Sequence, residues 1–224
     1  MKGLKAKIRK YKATRWILIL TNWVSQGIWH MDKTEQVYRV SFTIIFTFIF
    51  YIIITLFFNL NNYVSLLVSL IISHTVNWIV NSNLFTLFVH RLLIGETKKE
   101  DFFNYLEKLK ERADKEDSII GIYCYGSMSR GTLQKKSDLD ISFLRKKGIQ
   151  NAIRSIIFFT KEKKISQSLR VPTESFLCDK VSCLKKRYDS NEPPVIICDK
   201  KKSIIKNYNV HLSLCEAEKI NTLV

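Results

Sequence analysis

Acidic residues are nearly missing from the first part of this 224-residue chain: before Gly95 there are ten Lys and Arg but two Asp and Glu. Between Arg39 and Arg91 no side chain of either sign occurs, over 51 residues. As a helix rising about 1.5 Å per residue, such a segment far exceeds a bilayer core of about 30 Å. One crossing is therefore excluded, and the segment must fold back. Cysteine is present five times, but never as Cys-x-x-Cys or in a Cys/His metal spacing. That excludes a zinc finger, and the five are expected to be reduced thiols, mostly in the core, on the cytosolic side. No small-residue cleavage site follows the basic N-terminus, so no secretory signal is expected. Internal repeats and low-complexity linkers are absent as well.

What is present starts with charge. The net charge of +16 is spread over both parts of the chain. It suits anionic lipid, a polyphosphate or membrane-flanking charge. No RNA-reading signature accompanies it, and nucleic acid is not expected as a partner. Residues 1–15 carry seven Lys and Arg, and the run from Trp16 to Val24 is apolar with Trp near each end. Too short to span, this stretch is expected to lie at the headgroup level, with residues 1–38 forming an interfacial segment.

The uncharged region breaks at Asn59-Leu60-Asn61-Asn62. Val40 to Phe58 and Tyr63 to Val80 each suit one crossing, so residues 39–95 read as a two-helix transmembrane hairpin, with a re-entrant hairpin as the alternative. Ser73, His74, Asn77 and Asn81 recur at helical spacing in the second helix, with Trp78 alongside, as contacts to another helix. His74 and His90 receive no catalytic role. Arg39 precedes the hairpin, and Arg91, Lys98 and Lys99 follow it. Flanks rich in Lys and Arg stay in the cytoplasm, which puts both termini and the remaining domain there, in a multi-pass membrane protein.

From Gly95 the pattern is that of a soluble domain, 96–224. Phe102, Tyr105, Leu106 and Leu109 form one stripe of an amphipathic helix, with Thr97 and Glu100 as a capping box. Strands are expected at Ile119–Tyr125, Leu139–Leu144, Val171–Cys178 and Val195–Cys198, with a helix over Asn151–Lys163 and further helix in the tail. Alternating strands and helices indicate an α/β or α+β sandwich. Tyr123 and Tyr125 read as packing, and Asp189 and Asp199 as surface acids.

The chemistry gathers between Ile119 and Leu144. A strand ends at Gly126-Ser127, where a tight turn into a short helix would offer free N–H groups to a phosphate. Ser129 would cap that helix. Arg130, Lys135 and Lys136 add positive charge. After ten intervening residues, Ser127 is followed by Asp138-Leu139-Asp140. On a strand, residues two apart share a face, so the two carboxylates sit side by side, and a hard divalent cation relieves their repulsion.

Gly-Ser, a spacer of ten residues and Asp-x-Asp resembles the nucleotidyltransferase superfamily of the DNA polymerase β type, and its small, minimal members most. The resemblance runs from about Ile119 to Lys200; the hairpin is no part of it. It implies a small mixed sheet with flanking helices and an NTP substrate such as ATP. It also implies Mg2+, or Mn2+, in a two-metal mechanism that transfers an NMP and releases pyrophosphate. Gly126, Ser127, Arg130 and Lys136 would then bind phosphate, with Arg130 positioning it or pinning the turn. A third carboxylate is required on a neighbouring strand. Glu174 and Asp179 qualify, and Glu174 is preferred because it lies inside the strand, although Asp is more usual there. Asp138, Asp140 and Glu174 would thus hold metal, and Glu174 would also help deprotonate the acceptor. The acceptor itself stays open: a lipid, a lipid-linked sugar or a protein. The competing reading is a non-catalytic, antitoxin-like or nucleotide-binding membrane module.

Overall fold

A computed structural model describes residues 12–26, 28, 31–58, 60–81, 86, 95–185 and 192–221. The basic segment before Lys12, Asn59, His90, Arg91 and Asp189 lie outside the described residues. The chain divides into two compact units, Leu20–Ser82 and the remainder.

The first unit contains the end of α1 (Lys12–Ser25), then α2 (Lys33–Phe57) and α3 (Asn62–Asn81). Asp32 starts α2 by accepting the Glu35 N–H at 2.8 Å, satisfying a donor that the first turn leaves open. Both α2 and α3 are long and apolar enough to cross a membrane. Their mutual face is small and polar. Ser65, Ser69, Ser73, Asn77 and Asn81, four residues apart, are all buried. Asn77 Nδ2 donates to the Arg39 carbonyl and to Thr43 Oγ1, at 2.9 and 2.7 Å. Arg39, buried and paired with Glu35 at 2.9 Å, also donates to the carbonyls of Gln26 and Asn81. His74 Nε2 donates to the Trp23 carbonyl, and Trp78 Nε1 to Asn22 Oδ1, which fasten the end of α1 to α3. The outward sides of α2 and α3 are apolar: Ile44, Phe48, Leu56, Leu67 and Leu70 are among the exposed residues.

The second unit is a five-stranded mixed sheet in the order β3-β2-β1-β4-β5. Its strands are β1 (Ile119–Tyr125), β2 (Leu139–Arg145), β3 (Thr173–Cys178), β4 (Val195–Asp199) and β5 (Leu212–Ser213). β1 runs antiparallel to β2 and β4, while β2–β3 and β4–β5 are parallel. The fold is thus α/β, a small mixed sheet with flanking helices, as the resemblance implies. Helices α4 (Lys99–Asp114) and α5 (Ile149–Ser168) cover one face. Leu139, Ile141 and Phe143 alternate toward them and meet Phe102, Leu106, Leu109, Phe158 and Phe159. Arg112 of α4 forks onto the buried Glu162 of α5, with two bonds of 2.7 Å. On the opposite face Tyr123, Tyr125, Leu144, Cys178 and Ile204 form a smaller cluster. A short helix α6 (Val181–Lys185) follows β3, and α7 (Leu214–Ile220) closes the described chain.

Several local expectations are corrected. Thr97 does not cap α4; its hydroxyl donates to the Arg170 carbonyl at 2.9 Å, and Lys98 takes the cap position without a side-chain bond. Asp199 is no idle surface acid, because its carboxylate accepts the N–H groups of Ser203, Ile204 and Ile205. The cysteines are not all free: Cys178 and Cys183 form a disulfide from the end of β3 to α6. Cys124, Cys198 and Cys215 are free. Burial and the neighbouring Asp114 push the Cys198 thiol up to about 11, an inert thiol.

Candidate active site

The site lies on the sheet face opposite α4 and α5, because alternation sends Asp140 away from Leu139 and Ile141. Register brings the acids together. Asp140 pairs with Tyr125 on β1 and with Glu174 on β3, and Asp138 stands two residues before Asp140. Ligand oxygens of Asp138, Asp140 and Glu174 all lie within 4.8 Å of one another. Asp138 and Asp140 are half-buried, and Glu174 is exposed on an outer strand. Asp179, the other candidate, is not in the cluster.

Such a cluster is electrostatically unfavourable by itself. Burial, then the charges of Asp138 and Glu174, hold the Asp140 carboxyl well above the usual carboxylate range, against the opposing pull of Arg130. The Cys124 thiol behind it is likewise pushed up, by burial and then by Asp140. Three hard oxygen donors that repel one another suit a divalent cation of the Mg2+ type.

Beside the acids, β1 ends in Gly126, whose φ of +75° is left-handed. A Cβ there would collide with the Asp140 carboxylate, so only glycine lets turn and acid approach. The expected short helix does not form. Residues 126–131 are a succession of turns, with Arg130 N–H donating to the Gly126 carbonyl at 3.2 Å and Thr132 N–H to that of Ser127 at 3.0 Å. Ser129 accordingly caps no helix; its hydroxyl donates to the Gly126 carbonyl at 3.2 Å. Ser127 is half-buried.

Two of the positive residues are engaged in ion pairs. Arg130 pairs with Glu192, in the segment that leads into β4. Lys136 lies 4.0 Å from Glu96, both partly exposed.

Three contributors escape sequence reasoning. Asn221, fully buried after α7, clamps both sides of the turn: Nδ2 donates to the Met128 carbonyl at 2.8 Å, and Oδ1 accepts the Leu133 N–H at 2.9 Å. Glu192 adds a fourth carboxylate near Asp140. Thr86 meets the outer edge of β3, where its hydroxyl accepts the Thr173 N–H at 2.7 Å and donates to the Thr173 carbonyl at 3.0 Å, one residue before Glu174. None carries a local signal. An Asn at a helix end, a Glu before two prolines and a Thr in an apolar run are all ordinary by themselves.

No curated protein and no solved structure matches the chain significantly. A family model described as polymerase beta, nucleotidyltransferase, matches residues 107–174, about a third of the chain. The match spans the Gly126-Ser127 turn and the Asp138–Asp140 pair and ends on Glu174. Residues 107–174, around which this unit is built, thus match the nucleotidyltransferase superfamily.

Proposed function

We propose that the protein is a membrane-anchored, Mg2+-dependent nucleotidyltransferase that transfers an NMP from an NTP to an acceptor and releases pyrophosphate. The observation that carries this reading is the meeting of Asp138, Asp140 and Glu174 beside the Gly126-Ser127 turn. These carboxylates would hold Mg2+, or Mn2+. A pair of cations held there would supply neutralisation of phosphate charge and activation of the attacking oxygen.

The protein's own residues orient the rest. The Gly126-Ser127 turn receives the β- and γ-phosphates, with no side chain at Gly126 to keep them away. Arg130 trades Glu192 for a phosphate oxygen, and Lys136 leaves its loose contact with Glu96. Glu174, exposed on its outer strand, takes the proton of the acceptor hydroxyl. The acceptor oxygen attacks the α-phosphorus, the bond from it to the β-phosphate bridge breaks, and pyrophosphate leaves.

Membrane anchoring is supported by the two long helices that carry apolar side chains outward and polar ones toward each other. The basic flanks support a cytoplasmic domain, where nucleoside triphosphates are found. The Cys178–Cys183 disulfide points the other way, since disulfides are rare in the cytosol. Cys215, free and exposed, separates the two orientations. On intact cells an impermeant maleimide leaves a cytoplasmic Cys215 unlabelled until the membrane is opened.

The reaction is tested by incubating the purified chain with each labelled NTP, Mg2+ and either native lipid extract or membrane protein. Label in one fraction, lost with Asp138→Ala, supports transfer and identifies the acceptor class. Nucleotide binding without transfer to any fraction would favour the non-catalytic module.

A further inference from the structure

Helices α4 and α5 pack on the same face of the sheet, yet their outward sides differ. That of α4 exposes Glu107, Lys108, Lys110 and Glu111, mixed in sign, and no large apolar side chain. On α5, Ile149, Ile153 and Ile157 stand out at 83%, 56% and 63% of full exposure. A four-residue spacing stacks them along one side of the helix. Lys161 and Lys164 continue that side, and Arg154 borders it in a 3.2 Å pair with Glu116. The single acid of α5, Glu162, is turned inward to Arg112.

We infer that this face of α5 docks on the surface of an anionic bilayer. The isoleucines enter the headgroup boundary, while Lys161 and Lys164 meet lipid phosphate. The inference rests on the membrane-anchored reading above, which brings a bilayer within reach of the domain. Charge complementarity selects the occupant: the exposed side of α5 carries Lys161 and Lys164 and no acid of its own, Glu116 at its border being paired with Arg154. Composition agrees, because protein interfaces favour aromatics and exclude Lys, whereas here the exposed apolar residues are all Ile and the neighbours are Lys.

Docking has a consequence for the acceptor. Asp138, Asp140 and Glu174 stand on the sheet face opposite α5. With α5 on lipid they open toward water, and the acceptor arrives from the aqueous side rather than as a headgroup of the same leaflet.

The test uses the full chain with Cys215→Ser and one nitroxide, attached through Ile153→Cys, Ile49→Cys or Lys108→Cys. Each variant is placed in nanodiscs of phosphatidylcholine, with or without phosphatidylglycerol. Collision with oxygen and with a water-soluble nickel complex is then compared. The expected result is that position 153 is shielded from nickel severalfold relative to 108, only with phosphatidylglycerol and less at high salt. Position 49 is shielded in both discs. A label at 153 as open to nickel as 108 in anionic discs, with 49 still shielded, overturns the docking and leaves the anchor standing. If 49 is also open, the anchor itself fails. Equal shielding at 153 in both discs, or shielding that grows with protein concentration, overturns the lipid assignment in favour of a second copy.

Discussion

The two units of this chain hide opposite kinds of side chain. Along the inner side of α3 in the hairpin Ser65, Ser69, Ser73, Asn77 and Asn81 are buried, as is Ile54 of α2, and most of the large exposed side chains are Ile, Phe, Leu and Val. In the sheet unit Phe102, Leu106, Ile141 and Phe143 are buried, while Lys and Glu cover α4. One rule produces both patterns. On the membrane-anchored reading proposed above, each unit turns inward what its surroundings solvate poorly: polar groups in lipid, apolar groups in water. Charged pairs follow it too. Glu35–Arg39 is buried as a pair, and the partly exposed Arg112 covers the buried Glu162, where a lone charge would be costly. The outer side of α5 belongs to neither pattern, which is why it draws attention as a surface for lipid.

Three substitutions test this contrast, the largest effect first. Arg112→Ala leaves Glu162 buried without its partner and should cost about 4 kcal/mol of sheet-unit stability, read by denaturant unfolding. A loss under about 1 kcal/mol would mean that Glu162 finds water. Ile49→Lys puts a charge on the apolar outside of α2 and should cost about 3 kcal/mol of insertion, seen as protein released by carbonate. The comparable change Lys108→Ala on α4 should alter stability by no more than about 0.5 kcal/mol. Should both be neutral, the two units do not face different solvents.

The smallest effect is read against pH. Asp140 has its folded pKa raised above the unfolded value, so its stabilising contribution is complete below the ordinary carboxylate range. That contribution is lost as pH rises through the raised value. Metal-free protein should therefore melt lower toward neutral pH, Asp140→Asn should flatten that trend, and added Mg2+ should restore the melting temperature most at the alkaline end. An Mg2+ effect equal at acidic and neutral pH would separate the cation from Asp140.

The parts that the sequence made readable are those whose chemistry is local. Asp138 and Asp140 face one way because a strand alternates, and the hairpin declares itself by 51 uncharged residues. The remainder depends on partners far along the chain. Asn221 reaches Met128 and Leu133 across about ninety positions, and Arg130 finds Glu192 across 62. No periodicity encodes such pairs. Thr97 shows why even local motifs mislead: its hydroxyl can cap a helix or reach Arg170, and the tertiary partner prevails. At Gly126 the turn residues were legible but not the structure after them, because the clamp from Asn221 and the close contact of Gly131 with Ile220 hold the segment as turns.

The most direct test of the carboxylate site is pyrophosphate release from NTP by the purified chain in lipid, with Mg2+ or Mn2+. Asp138→Ala, Asp140→Ala and Glu174→Ala should each lower the rate by roughly 10³-fold, the scale of removing a group that stabilises transition-state charge, with the sheet unit still folded. Release that survives all three substitutions together would contradict the assignment of the reaction to this site.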